Sequence, residues 1–301
     1  MIAPAAAPPA QPGIKDRLDV LQETVSASRL NCWQQCRLKF WFRYVLRLVK
    51  PSPPALYVGT IVHSVLQSWN LGRWRHKTVD LEALKQTFHE NWKDEQVEEV
   101  INWQGEEEAE QTTGWALLET YFKETPITLD EKPEAVEVSV EADLSEHGLP
   151  KLIGVIDLVR AGGRIVDFKT ASQTPTVKKA QHLHEAQTSC YAIMYRESAG
   201  RRETGIELHH LVKLKKPKIV VTPFGPMTDN QQTRLFKGIE SYVAGLDRQD
   251  SHEEQRVEAE LKAVAEELKH KLYAWSITGG MMDTATGNVT DCHVGCRNGQ
   301  T

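Results

Sequence analysis

No stretch of this 301-residue chain approaches the ~18 consecutive apolar residues that a membrane-spanning helix needs, so nothing in it reads as crossing a bilayer. It has no GxxxxGK[ST] phosphate loop, which excludes an ATPase motor of that type, and no internal repeat. The opening MIAPAAAPPAQPG lacks the basic start and leucine-rich core of a secretion signal. Residues 1–25 read instead as a flexible Pro/Ala-rich tail, and a cytoplasmic setting is expected. In that compartment the five cysteines are free thiols or metal ligands sooner than disulfides. Nor is there an excess of positive charge. The formal net charge is −5, so the molecule as a whole is no basic nucleic-acid binder, although a local basic stripe can serve where the total does not.

What is present suits a globular protein. Hydrophobic residues make up 40% and charged residues 26%, and the length allows one large domain or two small ones. Residues 26–50, SASRLNCWQQCRLKFWFRYVLRLVK, read as a helix with Ser26 or Ser28 at its start. No acid falls between Arg29 and Lys50. Such a face is either simply solvated or able to follow a phosphate backbone, with Arg37 and Arg43 as candidate contacts. PSPP at 51–54 ends it, and further helices are expected over 58–74, 81–100 and 115–122. Residues 134–169 then change to three strands, AVEVSVEADL, KLIGVIDLVR and RIVDFKT, the last two joined through Ala161-Gly162-Gly163 as a tight hairpin. A helix over 177–197 and the strands IELHHLVKL and PKIVVTPF follow. The tail from Asp229 to Trp275 is mostly helical, with an apolar stripe of Val257, Leu261, Val264, Leu268 and Leu272 for packing.

The chemistry lies in the hairpin. On a strand Asp167 and Lys169 share one face and Phe168 takes the other. A structural ion pair is the simpler account of that stretch alone. However, Asp157 sits on the neighbouring antiparallel strand, where its carboxylate can converge with that of Asp167 on one cation. Oxygen ligands favour a hard ion such as Mg²⁺ or Mn²⁺. Lys169 beside them can hold or deprotonate a water and offset phosphate charge, which is the equipment of phosphodiester hydrolysis.

I-D-(x9)-D-F-K-T resembles the PD-(D/E)xK nuclease superfamily and, within it, the RecB-like exonucleases. Other pieces occur in that family's order: SASRL…CRLKF…Y as its opening helix, GTIVHSVL as its histidine motif, VEVSVE before the hairpin, and Q-T-S-C-Y at 187–191 as its Q-x3-Y motif. The resemblance implies a restriction-endonuclease-like α/β core, a short mixed sheet flanked by helices. It divides the chain into a helical N-terminal section at 26–125, a nuclease core at 126–225 and a helical C-terminal extension at 226–301. It implies Asp157, Asp167, His63 and the Phe168 carbonyl as metal ligands, and Lys169 as the catalytic lysine. A histidine ligand would shift the preference toward Mn²⁺. A satisfied core histidine is the competing account of His63. Gln187 and Tyr191, four apart on one helix face, border the site and are implied to touch DNA. Glu137 can orient the lysine or a water, but Glu141 shares its strand face and the choice stays open. All the catalytic positions are retained, which argues against an inactive copy.

Some RecB-like nucleases also close the fold with an iron–sulfur cluster, using one early cysteine and three late ones. Cys32 and Cys36 lie early in this chain, Cys292 and Cys296 late, and the family's final cysteine is missing. Two arrangements remain, a two-plus-two set holding a [4Fe–4S] cluster or zinc, and no metal at all. The expected function is metal-dependent DNA hydrolysis by an exonuclease, acting on single strands or ends in repair or recombination. Since the chain carries no motor, a helicase or recombination protein in trans is an expected partner. A structure-specific or RNA-directed endonuclease and a non-catalytic nucleic-acid-binding subunit are the alternatives.

Overall fold

The computed structural model describes residues 13–48, 52–77, 80–98, 101–128, 130–249, 281–282 and 289–290. Within the expected tail, Ile14–Glu23 forms helix α1. The reason is local: Leu18 and Leu21, three apart, are both buried. Strand β1, Thr24–Val25, follows it. The basic segment is not one helix. Helix α2, Ala27–Gln35, capped by the Ser26 side chain, ends where Cys36 turns extended at φ −163°. Helix α3, Arg37–Phe40, restarts there and passes into a π-helical turn at Trp41–Val45.

Helices α4 (Pro54–Trp74), α5 (Leu81–Glu98) and α6 (Glu107–Glu124) come next. They precede strands β2 (Ala135–Ala142), β3 (Lys151–Arg160) and β4 (Arg164–Ala171). Helix α7 (Val177–Ala199) leads to β5 (Gly205–Val212), β6 (Lys218–Phe224) and helix α8 (Asp229–Gln249). The chain divides into two compact units at Val243 and Ala244. In the second, strands β7 (Met281–Met282) and β8 (Val289–Thr290) pair antiparallel. The stripe at 257–272 lies outside the described residues. No described helix is long and apolar enough to cross a membrane.

Strands β1 to β6 form one mixed sheet. β2 runs antiparallel along one edge of β3 from Ala135↔Val159 to Ala142↔Leu152. Two strands share the other edge of β3: β4 at Leu158↔Val166 to Arg160↔Arg164, and β1 in parallel at Lys151 and Leu152. After Val166, β4 leaves β3 but stays paired in parallel with β5 over its whole length. The residues of β3 between these two contacts therefore face a gap on that side. Gly162 and Gly163, at φ +80° and +76°, make the β3–β4 turn in the left-handed region that glycine enters freely.

The sheet has a helix layer on each face. Tyr57, Ile61, Val65 and Leu66 of α4, Phe88 and Trp92 of α5, and Leu117, Leu118 and Tyr121 of α6 pack with Leu158, Val166, Phe168 and Leu211 in one buried cluster. α4 crosses β4 closely: a Cβ on Gly59 would meet Thr170 Oγ1 at 3.2 Å. α7 covers the opposite face against β2, β3 and β6, with α2 packed on it. Charges on the α6 side are paired. Arg160 makes a two-pronged contact with Glu131 at 2.7 and 2.9 Å and reaches Glu207 at 3.0 Å. Glu207 meets Nε2 of His209 at 3.1 Å, and His209 Nδ1 meets the Tyr121 hydroxyl at 2.8 Å. Tyr121 and His209 are fully buried. Tyr121→Phe leaves the Nδ1 of His209 without its partner in a dry interior, which should cost about 1–3 kcal/mol. Urea unfolding should show a lower midpoint with an unchanged slope; a wild-type midpoint would contradict the assignment.

Candidate active site

The site is built where β3 and β4 part. Asp157 stands one residue before the last β3–β4 pair, Leu158↔Val166. Its Oδ2 accepts a hydrogen bond from the Phe168 N–H at 2.9 Å, so a side chain stands where a ladder carbonyl would otherwise serve. The same oxygen lies 3.4 Å from His63 Nδ1 on α4. The Phe168 ring is buried against Tyr121 and His209, with His63 edge-on at 6.1 Å, and this fixes the backbone that holds Asp157.

Asp167 and Lys169 take the opposite side of β4, toward α7. The carboxylate of Asp167 is buried and its two oxygens differ. Oδ1 accepts from the Tyr191 hydroxyl at 2.8 Å and from Gln187 Nε2 at 3.0 Å. Gln187 Nε2 also donates to the Tyr191 hydroxyl at 2.8 Å. Oδ2 has the Lys169 ammonium 2.6 Å away, off the line a hydrogen bond requires, and is otherwise buried without a hydrogen bond. Burial, then the charge of Asp167, pushes the Asp157 carboxyl up to about 6, while His63 and the Phe168 N–H pull it down. Two crowded carboxylates, one with an oxygen that lacks a hydrogen bond, suit a bound cation better than a dry core. The oxygen-rich donor set with one imidazole therefore fits Mg²⁺ or Mn²⁺. Among the described residues, however, no group of three or more His, Cys, Asp or Glu side chains is drawn together as a finished metal shell.

Glu137 stands opposite Asp157 in the β2–β3 register, between the pairs Val136↔Leu158 and Val138↔Ile156, yet that position itself is unpaired. Its φ is +47°, left-handed for a residue with a side chain. With His63, Ser64, Gln67, Phe168, Lys169 and Thr170 it lines a cleft of about 500 Å³ between α4 and β4. Partial burial raises its carboxyl and the nearby His63 ring lowers it. Glu141, its rival in the sequence, meets Lys151 at 3.0 Å on the surface.

The structure thus brings His63, Glu137, Asp157, Asp167, Phe168, Lys169, Gln187 and Tyr191 to one place. Tyr191 is buried with its hydroxyl on Asp167, so it and Gln187 stand as holders of a carboxylate. Arg37 and Arg43 are exposed, away from these contacts, over the rings of Trp33 at 5.0 Å and Tyr44 at 5.5 Å. Cys36 is exposed and its sulfur accepts from the Lys39 N–H at 3.5 Å; Cys32 is buried, which raises its thiol pKa. Cys292 and Cys296 lie outside the described residues. Two imidazoles at the site escaped the sequence reading. His210 is the β5 partner of Lys169, and His184 lies on α7 one turn before Gln187.

The family described as the PD-(D/E)XK nuclease superfamily matches residues 24–294. The chain belongs to that superfamily. It is accordingly a nuclease, with a restriction-endonuclease-like fold. Among solved structures, a protein named "Putative exonuclease" from Eubacterium rectale is similar with a TM-score of 0.51 at 15% identity, over 79% of this chain and 86% of that one. At that identity the likeness shows the fold alone. The crystal structure of SSO0001 is similar over 77% of this chain and 83% of that one at 13% identity, but its TM-score of 0.36 supports no argument. No curated protein matches the chain.

Two outcomes follow from the electrostatics and the backbone. Because the folded-state pKa of Asp157 lies near 6, above the ordinary 3.8, its ionisation opposes folding. That penalty is absent below about pH 4, grows between the two values and is complete above about 6. Asp157→Asn should therefore raise the melting temperature of cation-free protein at pH 8 and lose that advantage at pH 4; a gain equal at both pH values would rule out the carboxylate as its source. Glu137→Gly removes a left-handed side chain and should stabilise by about 1 kcal/mol in urea unfolding. A destabilised variant would show that Glu137 is not strained.

Proposed function

We propose that this nuclease hydrolyses DNA phosphodiester bonds in the cytoplasm as a RecB-like exonuclease, acting on single strands or ends in repair or recombination with Mg²⁺ or Mn²⁺. The observation that carries the reading is the contact of Lys169 with Asp167 at the mouth of the gap that holds Asp157. Asp157, Asp167 and His63 would hold the ion, with the Phe168 carbonyl as the further oxygen that the resemblance implies. When bound, it polarises a phosphoryl oxygen and lowers the pKa of an attacking water.

The protein's own groups complete the work. Lys169 offers its ammonium to the incoming water and to the negative charge on the phosphoryl oxygens, while Asp167 anchors it. Gln187 and Tyr191 hold the Asp167 carboxylate in place through Oδ1. Glu137, at the open side of the cleft, orients a water or the lysine. The exposed guanidinium groups of Arg37 and Arg43 contact phosphates without regard to sequence, which favours low specificity and strong salt dependence. With no P-loop motor in the chain, a helicase or recombination protein in trans would deliver ends. Cys32, Cys36, Cys292 and Cys296 as a [4Fe–4S] or zinc set are a separate reading, decided by the visible absorbance of freshly purified protein.

A fluorescent single-stranded oligonucleotide with Mn²⁺ tests the reading. Wild type should cleave it, and Lys169→Ala should lose about 10²–10⁴-fold in rate. Resistance of a circular strand supports exonuclease action; cutting of the circle indicates an endonuclease. Tight binding without cleavage by wild type would point to a non-catalytic binding subunit.

A further inference from the structure

The cleft between α4 and β4 has an end to which the chemistry above gives no part. On α4, Leu56, Thr60, His63 and Gln67 follow at spacings of four, three and four, so they form one ridge along the helix, and all four line the cleft. His63 stands beside the ring of Phe168, 6.1 Å away, and Gly59 lies against Thr170. Helix α4 therefore runs against the direction of β4, and its first turn lies beyond Thr170, outward from Lys169. Leu56 is on that first turn, about 10 Å along the helix axis from His63.

The hydrophobic core does not use this leucine. Tyr57, Val58, Ile61, Val62 and Val65 of the same helix are at most 3% exposed, whereas Leu56 is 53% exposed. One exposed leucine is ordinary on a protein surface. This one, with Ala55 and Gly59 beside it, gives an apolar end to a cleft that also holds His63, Glu137 and Lys169. At about 500 Å³ the cleft is within the ~300–1,000 Å³ of pockets that take small molecules. A charged part and an apolar part match the two halves of a nucleotide. Phosphate is drawn to the ammonium of Lys169, and the flat face of a base, which carries no charge to pair, gains by covering an apolar side chain. A base inside a duplex has both faces covered by its neighbours. Only an unstacked base, in a single strand or at a frayed end, has a face to offer.

We propose that the first turn of α4 is a base-binding subsite, in which Leu56 covers the face of an unstacked nucleobase while a phosphate of the same strand lies at Lys169, and that this contact makes the cleft selective for single strands. The position of the phosphate rests on the nuclease reading above; the contact with a base does not need cleavage to be seen.

Two labelled strands of equal length and charge test it, one a mixed-sequence DNA oligonucleotide and the other a chain of abasic deoxyribose phosphates. Binding is followed by fluorescence anisotropy in EDTA at low salt, with no cation present to support hydrolysis. Covering a half-exposed leucine is worth about fivefold in affinity. Leu56→Ser should therefore bind the oligonucleotide about fivefold more weakly than wild type does, with no change for the abasic strand. Leu56→Trp, a larger platform, should bind the oligonucleotide more tightly and the abasic strand no more tightly. Leu56 lies on the surface, so neither variant opens the core. With Mn²⁺, Leu56→Ser should raise KM for the single-stranded oligonucleotide. Equal weakening toward both strands, or none, would overturn the base contact. So would a Leu56→Ser variant that loses self-association in sedimentation yet binds the oligonucleotide as wild type does, which would assign the leucine to a contact with a second copy of the chain. A wild type that does not cleave would end the nuclease reading, and the anisotropy comparison would then decide the contact by itself.

Discussion

The hydrogen bond from the Phe168 N–H to the Asp157 carboxylate is the constraint on which the site depends. Two antiparallel strands joined by a tight turn would ordinarily keep pairing; β3 and β4 stop after Leu158↔Val166. Beyond that point β4 follows β5, whose parallel register holds from Arg164↔Gly205 to Ala171↔Val212. Opening a sheet strands backbone donors, and an unmet N–H in a dry place is costly. Asp157 meets that need with its side chain, and so a carboxylate ends up inside the opening. Its position is then inherited from the backbone of Phe168, which is pinned by the ring packed beneath α4 and α6.

The two faces of the sheet treat charge differently. Under α6, Glu131, Arg160, Glu207 and His209 pair one with another, and Tyr121 terminates the series. Such a network is satisfied without help from outside. Across the sheet the account does not close. Asp157 carries a raised pKa because burial and Asp167 both oppose its charge, and Oδ2 of Asp167 lacks a hydrogen bond. On the α7 side Glu203 is paired with Arg196 and Asp167 with Lys169, so the tension is confined to the Asp157 carboxyl and its neighbour Asp167.

What the chain's order of residues made legible was local. The nine residues between Asp157 and Asp167 contain the glycine turn, so their register follows from the hairpin itself. Gln187 and Tyr191 share a helix face by spacing alone. His63 is far from the hairpin in sequence, and only the resemblance of its motif joined it to Asp157. His210 was hidden for a related reason: it neighbours Lys169 through a parallel pairing across an intervening helix, which no short-range pattern encodes. The choice between Glu137 and Glu141 was closed to period-two reasoning, since both fall on one nominal face. A left-handed φ at Glu137 interrupts the ladder there and separates the two. The break at Cys36 and the π-turn after it likewise depart from a single amphipathic helix that the composition of residues 26–50 fits well.

The unlike environments of the two oxygens of Asp167 give the site its direction. Neutral donors from α7 occupy Oδ1, and the cation Lys169 faces Oδ2. A neutral donor fixes a carboxylate in orientation without cancelling its charge, whereas an ammonium offsets the charge and can shift when another cation competes. The α7 side thus orients Asp167 through neutral donors, and the β3 side, with Asp157 and His63, carries the carboxylate whose charge burial opposes. Burial favours the neutral form of Asp157, so a proton would compete with any cation held there, and that competition would be strongest near the value to which its pKa is raised. Helix α7 does not contribute to that competition; it sets the geometry in which it takes place.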